Sequence, residues 1–79
     1  MSIHITYFGM LAEIAGQADE SWIADENLTV GKFRSLLLEK YPRMGEKKFK
    51  IAVNQQISED FVPIEMSSEV AVLPPFAGG

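Results

Sequence analysis

The chain predicts an α+β fold, a mixed sheet of four to five strands with one long helix across one face. Three observations carry this. Stretches at 2–8, 20–24, 50–54 and 69–73 are short, apolar and rich in β-branched or aromatic residues, as strands with a buried face require. Only one segment, Val30 to Tyr41, holds apolar residues at spacings of three and four over several turns. The order strand, strand, long helix, strand, irregular segment, strand then places the helix as the single cover of the sheet.

Ser2 to Phe8 alternates at period two and directs Ile3, Ile5 and Tyr7 to the core. Gly9 breaks it. Met10 to Ala15 reads as a short helix with Met10, Leu11 and Ile14 on one side, stopped by Gly16 in the C′ role. Glu20 to Ala24 is the hairpin partner of the first strand, and Asp25-Glu26-Asn27 is a polar turn. Thr29 is the N-cap of the long helix, whose apolar face is Val30, Phe33, Leu37 and Tyr41 with Leu36 beside them. Lys32 occupies the position where a capping box would place Glu, so the reciprocal bond is absent. Pro42 ends the helix by disfavouring helical geometry at Tyr41.

Met44 to Lys48 reads as a polar loop, with Lys47, Lys48 and Lys50 as a solvated edge. Lys50 to Asn54 is a strand, followed by a tight turn at Asn54-Gln55-Gln56 into Ile57. Between Ser58 and Ser68 the pattern is irregular. Phe61, Val62, Ile64 and Met66 are expected as separate apolar anchors, and Pro63 excludes a central strand. Glu69 to Leu73 is the last strand, with Val70 and Val72 inward. The first and last strands are expected to lie adjacent at the sheet centre, running parallel. Residues 1–73 would form the domain and 74–79 an extended, flexible tail.

Composition excludes several classes of function. The 47% hydrophobic fraction argues for a folded chain. No cysteine means no disulfide, no thiolate metal site and no cysteine nucleophile. A single histidine, His4, at an outward strand position, builds neither a metal cluster nor a Ser-His-Asp arrangement. The formal net charge of −4, without a basic stripe, speaks against nucleic acid and anionic membranes. No apolar run reaches the ~20 residues of a membrane span, and no basic-then-apolar signal pattern opens the chain. A cytoplasmic location is expected. The carboxylate pairs Asp19-Glu20, Asp25-Glu26 and Glu59-Asp60 read as solvated charges in turns, and no metal-ligand set or catalytic constellation is found.

The closing residues Pro74-Pro75-Phe76-Ala77-Gly78-Gly79 are unlike the rest. Two successive prolines donate nothing to a ladder and hold φ near −65°, so the strand must leave the sheet as a stiff spacer. Gly78 and Gly79 make the end thin and pliable. Extended at ~3.3–3.6 Å per residue, Pro75 to Gly79 would reach roughly 17 Å, which suits a narrow tunnel.

The sequence resembles ubiquitin-like β-grasp proteins, and more closely the small subunit of molybdopterin synthase, the MoaD family. The resemblance spans the chain. It is carried by Ile5-Thr6-Tyr7-Phe8-Gly9 with Glu13 and Gly16, by Thr29-Val30-Gly31 and Leu36-Leu37, and by Ala52-Val53-Asn54. Its specific part is Glu69-Val70-Ala71-Val72-Leu73 running into the Pro-Pro and Gly-Gly ending. Ala12 departs from the Arg often found there, and Met66-Ser67-Ser68 from an Asp-Gly-Asp-like turn.

The resemblance implies that Gly79 is the working residue, adenylated with ATP by a separate E1-like activating enzyme (MoeB-like) and converted to a thiocarboxylate by a persulfide sulfur donor. It implies no cofactor bound by the chain itself. The tail, Pro74 to Gly78, would enter the synthase large subunit (MoaE-like), where the sulfur passes to a cyclic pyranopterin. The chain alone would not catalyse. Period-two geometry turns Phe8, Ala71 and Leu73 to the outer sheet face, a docking patch for both partners if contiguous. Rival readings are a thiamine-pathway sulfur carrier (ThiS-like), a ubiquitin-like modifier joined to lysines, and an interaction module with an inert end.

Overall fold

The computed structural model describes residues 1–75. Its elements are β1 (Ser2–Tyr7), α1 (Met10–Ala15), β2 (Asp19–Ile23), α2 (Val30–Lys40), a 3₁₀ turn (Pro42–Glu46), β3 (Lys50–Val53), β4 (Gln56–Ile57) and β5 (Glu69–Leu73). The sheet order is β2-β1-β5-β3-β4. β1 and β5 pair in parallel, and the remaining neighbours are antiparallel. β5, last in sequence, is therefore the middle strand, as expected from its apolar alternation. No helix among the described residues is long and apolar enough to cross a membrane.

One face of the sheet builds the core. Ile3, Ile5, Tyr7, Val70, Val72, Ile51 and Val53 point inward from three strands and meet Val30, Phe33 and Leu37 of α2. Each end of α2 is held. At its start Thr29 Oγ1 accepts from the Lys32 amide at 3.2 Å. The Val30 and Gly31 amides donate to Val62 and Asp60 carbonyls, both at 2.9 Å. Three amides that a helix start ordinarily leaves unpaired are thus satisfied. Gly31 permits the approach, since a Cβ there would stand 3.1 Å from Asp60 Cβ.

At the other end of α2 lies an interaction that the sequence reading placed wrongly. Glu20 is not a solvated turn charge. It sits in β2 opposite Ile5 and faces the core, its carboxylate accepting from Tyr7 Oη (2.5 Å), Tyr41 Oη (2.6 Å) and Lys40 Nζ (2.8 Å). The Tyr7 and Tyr41 rings meet edge-on at 5.9 Å. Burial by itself pushes the Glu20 carboxyl up, but hydrogen bonds from Lys40, Tyr41 and Tyr7 outweigh it and hold it at about 2. Burial and the same carboxylate push the Tyr7 phenol up, keeping it a donor.

Other expectations are also corrected. Met44 to Lys48 is not a plain loop, because Pro42–Glu46 winds as 3₁₀ and buries Met44 completely. Phe61 and Met66 do not anchor the irregular segment, being 76% and 71% exposed, whereas Ile64 is buried and Val62 packs on the core. Leu36 and Met10 lie on exposed sides of their helices. The turn after β3 is tighter than read. Asn54 and Gln55 both take positive φ, the two-residue geometry that matches strand twist, and Gln56–Ile57 forms the additional short strand β4.

The Glu20 network fixes an acid response. Its folded value lies below the ordinary 4.5, so the stabilisation it provides is complete above about 4.5 and is lost as pH falls toward about 2. Urea unfolding at stepped pH should show stability dropping across that window, and Glu20→Gln should flatten that part of the curve. At neutral pH the same substitution should cost about 1–3 kcal/mol. An unchanged acid profile would remove Glu20 as its source.

Candidate functional site

The site is assembled where the middle strand leaves the sheet. β5 is flanked on both sides to its end. The Phe8 amide donates to the Val72 carbonyl at 3.1 Å on the β1 side, and Leu73 is in register with Lys50 on the β3 side. Beyond Leu73 the prolines offer no amide, so neither neighbour can continue the ladder. Pro74 is half-buried and Pro75 exposed.

Gly9 shapes this exit. It takes φ +59° and ψ −135°, a conformation that side chains rarely adopt, and thereby turns β1 directly into α1. A Cβ built there would lie 3.5 Å from Pro74 Cγ, ordinary contact, so conformation rather than space calls for glycine. The Leu11 and Ala12 amides then bond the Phe8 and Gly9 carbonyls, both at 3.1 Å, closing the turn.

Phe8, Ala71 and Leu73 fall on the outer sheet face beside the exit. In register across four strands stand Thr6, Ala71, Ala52 and Ile57. The adjacent row runs from Phe8 beyond β1 to Leu73 and Lys50. Phe8 is 44% exposed, Ile57 59%, and Ala71 and Leu73 are half-buried. Phe8, Ala71 and Leu73 therefore share a face, and exposed Ile57 extends it beyond Ala52, which is itself buried. A shallow recess of 190 Å³ adjoins, lined by Thr6, Phe8, Gln55, Glu69 and Ala71.

Sequence reasoning had missed Ile57. A two-residue turn at Asn54-Gln55 would have set Ala52 opposite Ile57 and shown it. It had also passed over the role of Gly9, readable only as a strand break. Phe76, Ala77, Gly78 and Gly79 lie outside the described residues. His4 is exposed, 3.9 Å from Asp19. Among the described residues no group of three or more His, Asp or Glu converges as a metal site.

The ThiS family pattern matches residues 5–79. A molybdopterin synthase sulfur carrier subunit of Caenorhabditis briggsae is 30% identical over 83 residues, with 100% of this chain and 99% of the relative covered. Among solved structures, small archaeal modifier protein 1 of Haloferax volcanii superposes with a TM-score of 0.82 at 20% identity, covering 95% of this chain and 98% of that one. A protein–protein complex of subunits 1 and 2 of the molybdopterin-converting factor of Helicobacter pylori contains a chain matched with a TM-score of 0.69 at 21% identity, both fully covered. At these identities the structural likenesses establish the β-grasp fold.

Gly9→Val should cost about 1–3 kcal/mol in urea unfolding, because valine cannot hold that backbone without strain. Amide shifts should move first at Phe8, Leu11 and Leu73. A variant as stable as the parent would show that the turn readily re-forms with another backbone.

Proposed function

The chain belongs to the ThiS family, and from that premise we propose that it is the sulfur carrier subunit of a molybdopterin synthase. The observation that carries this reading is the relative of that name, 30% identical and matched from end to end. The family pattern alone would serve equally for a thiamine-pathway carrier, which is the second reading. The modifier-like neighbour shares the fold and adds nothing on function.

In this reading the Gly79 carboxylate is the reacting group. A carboxylate resists attack at neutral pH because its leaving group would be oxide. An activating enzyme supplies a better one: a carboxylate oxygen attacks the α-phosphorus of ATP, and pyrophosphate departs. A donor's persulfide sulfur then attacks the carbonyl carbon and AMP leaves, giving an acyl disulfide. A donor thiol attacks that disulfide, so the donor is oxidised and the thiocarboxylate is released. The carrier supplies no acid, base or metal. Gly78 and Gly79 leave the carbonyl open on all sides, so that partner donors reach it.

Pro74 and Pro75 stiffen the arm, and Phe76 with Ala77 sets its depth in the large subunit. Phe8, Ala71 and Leu73 seat the domain against that subunit and against the activating enzyme. The Helicobacter pylori pair supports a two-subunit assembly. The sulfur then passes to a cyclic pyranopterin. Such chemistry belongs in the cytoplasm.

Incubation with ATP, an activating enzyme and a persulfide source should raise the intact mass by about 16 Da, sulfur for oxygen. One residue added after Gly79 should abolish the gain. A mass unchanged in the parent chain would defeat the carrier reading altogether, and capture of a thiazole-forming subunit in place of a pterin-converting one would favour the second reading.

Phe8→Asp and Leu73→Asp should each weaken binding to the large subunit at least about tenfold, the loss of about 1.4 kcal/mol, by burying an unpaired charge. Both side chains lie off the core, so far-ultraviolet dichroism should not change. Equal affinity in calorimetry would take the patch out of the account.

A further inference from the structure

The sheet has two free borders, and they differ. β4 is two residues long, whereas β2 runs for five along the other side. Register and hydrogen bonds fix which way the groups of β2 point. The Tyr7 amide bonds the Ala18 carbonyl at 2.8 Å, and the Ala24 amide bonds the Met1 carbonyl at 2.7 Å. Antiparallel pairs alternate between bonded and unbonded, so Glu20 and Trp22 spend their backbone groups on Ile5 and Ile3. The amides and carbonyls of Asp19, Ser21 and Ile23 consequently point away from β1, toward the open side.

Exposed edges are usually blunted by charged side chains, lysine above all, by proline or by a bulge. β2 carries two carboxylates, Asp19 and Glu20, the latter turned inward and spent on Tyr7, Tyr41 and Lys40, but neither lysine nor proline, and its pairing with β1 is unbroken. Ile23, 87% exposed, stands at its end. On the helix side the border opens into a recess of 410 Å³ lined by Ser21, Trp22, Ile23, Leu36 and Lys40. Leu36 also lines a second recess of 580 Å³ that contains Asp25, Glu26 and Lys32. Leu36 is the lining residue that the two recesses share, and it stands beside the border.

We propose that this border receives an extended peptide segment as an added strand, with apolar residues flanked by lysine or arginine. Three backbone rungs supply pairing, and Ile23, Trp22 and Leu36 take the apolar side chains. Charge selects the occupant. Asp19 opens the strand, and Asp25 and Glu26 follow it. Lys40 is neutralised by Glu20 at 2.8 Å, leaving Lys32 against three carboxylates. A second copy is disfavoured by the same charges: antiparallel pairing about Ser21 would set Asp19 of each chain diagonal to Asp25 of the other. The border is on the far side of β1 from β5, so the proposal stands whether or not the chain carries sulfur.

The test is an amide-shift titration of the full chain with the capped peptide Lys-Lys-Val-Ile-Val-Lys-Lys, and with its counterpart bearing Glu for Lys. The basic peptide should move Asp19, Ser21 and Ile23 saturably and slow their hydrogen exchange. The acidic peptide should bind at least about tenfold more weakly. Ser21→Pro removes an outward amide and no β1 rung, so it should weaken binding about tenfold while Ile5 and Val70 shifts hold. Ile23→Lys, on an exposed side chain, should weaken the basic peptide similarly and covers the case in which the proline variant does not fold. Shifts centred on Phe8 and Leu73, no saturable shift, or equal binding by the folded variants would overturn the proposal. So would concentration-dependent β2 shifts without peptide, with a two-chain species in sedimentation.

Discussion

The parallel pairing of β1 with β5 is the constraint on which the other features rest. It puts the last strand between the first and the third, so Val70 and Val72 are covered by neighbours on both flanks and by α2 above. A strand paired on both sides cannot turn back alongside either neighbour, so the chain after it must leave the ladder. The exit at Leu73 is thus directed by the same hydrogen bonds that stabilise the centre, and the prolines finish what pairing begins by withholding amides. Had the last strand lain at a border, the segment after it could have turned back along the open side.

That geometry needs a rigid frame, and α2 supplies it through two unlike attachments. Its start is fixed by backbone carbonyls from the segment before β5, tight enough that a side chain at Gly31 would press on Asp60. Its end is fixed by a carboxylate, Glu20, shared among two phenols and an ammonium. The first depends on a loop keeping its path, the second on a charge staying ionised. A mostly buried carboxylate is a cost unless its oxygens are met, and here three donors meet them. The result links β1, β2 and the helix end through one side chain.

Much of this was legible in the sequence because it depends on local pattern. Thr29 before an apolar run, Pro42 after it and Gly16 after the short helix each act within a few residues, and all three stand where they were read. The alternation in Ile3-Ile5-Tyr7 and Val70-Val72 gave facing, and facing gave adjacency. What escaped was decided by partners distant along the chain. Glu20 looks like surface charge until Tyr7, Lys40 and Tyr41 are brought to it. Phe61 and Ile64 differ little in hydrophobicity, yet one is exposed and the other buried, with the Ile64 N–H donating to the carbonyl of Leu28, a residue distant along the chain, at 2.9 Å. Met44 is buried by a turn too short to show periodicity. At the site, facing was readable for Phe8, Ala71 and Leu73, whereas Ile57 depended on the length of a turn.

Among the described residues α2 covers one face of the five-stranded sheet, and no second layer lies over the other. The outer face must therefore be built to remain stable while uncovered. Its middle is made of Ala71 beside Ala52, which present little apolar area to water and leave the surface flat. Larger groups, Phe8 and Ile57, stand on either side of them. A flat floor between two raised apolar groups exposes a modest area alone and buries a larger one when another surface is laid across it. The same small residues that limit the penalty of exposure thus leave a low stretch between larger side chains, directly beside the point where the middle strand departs.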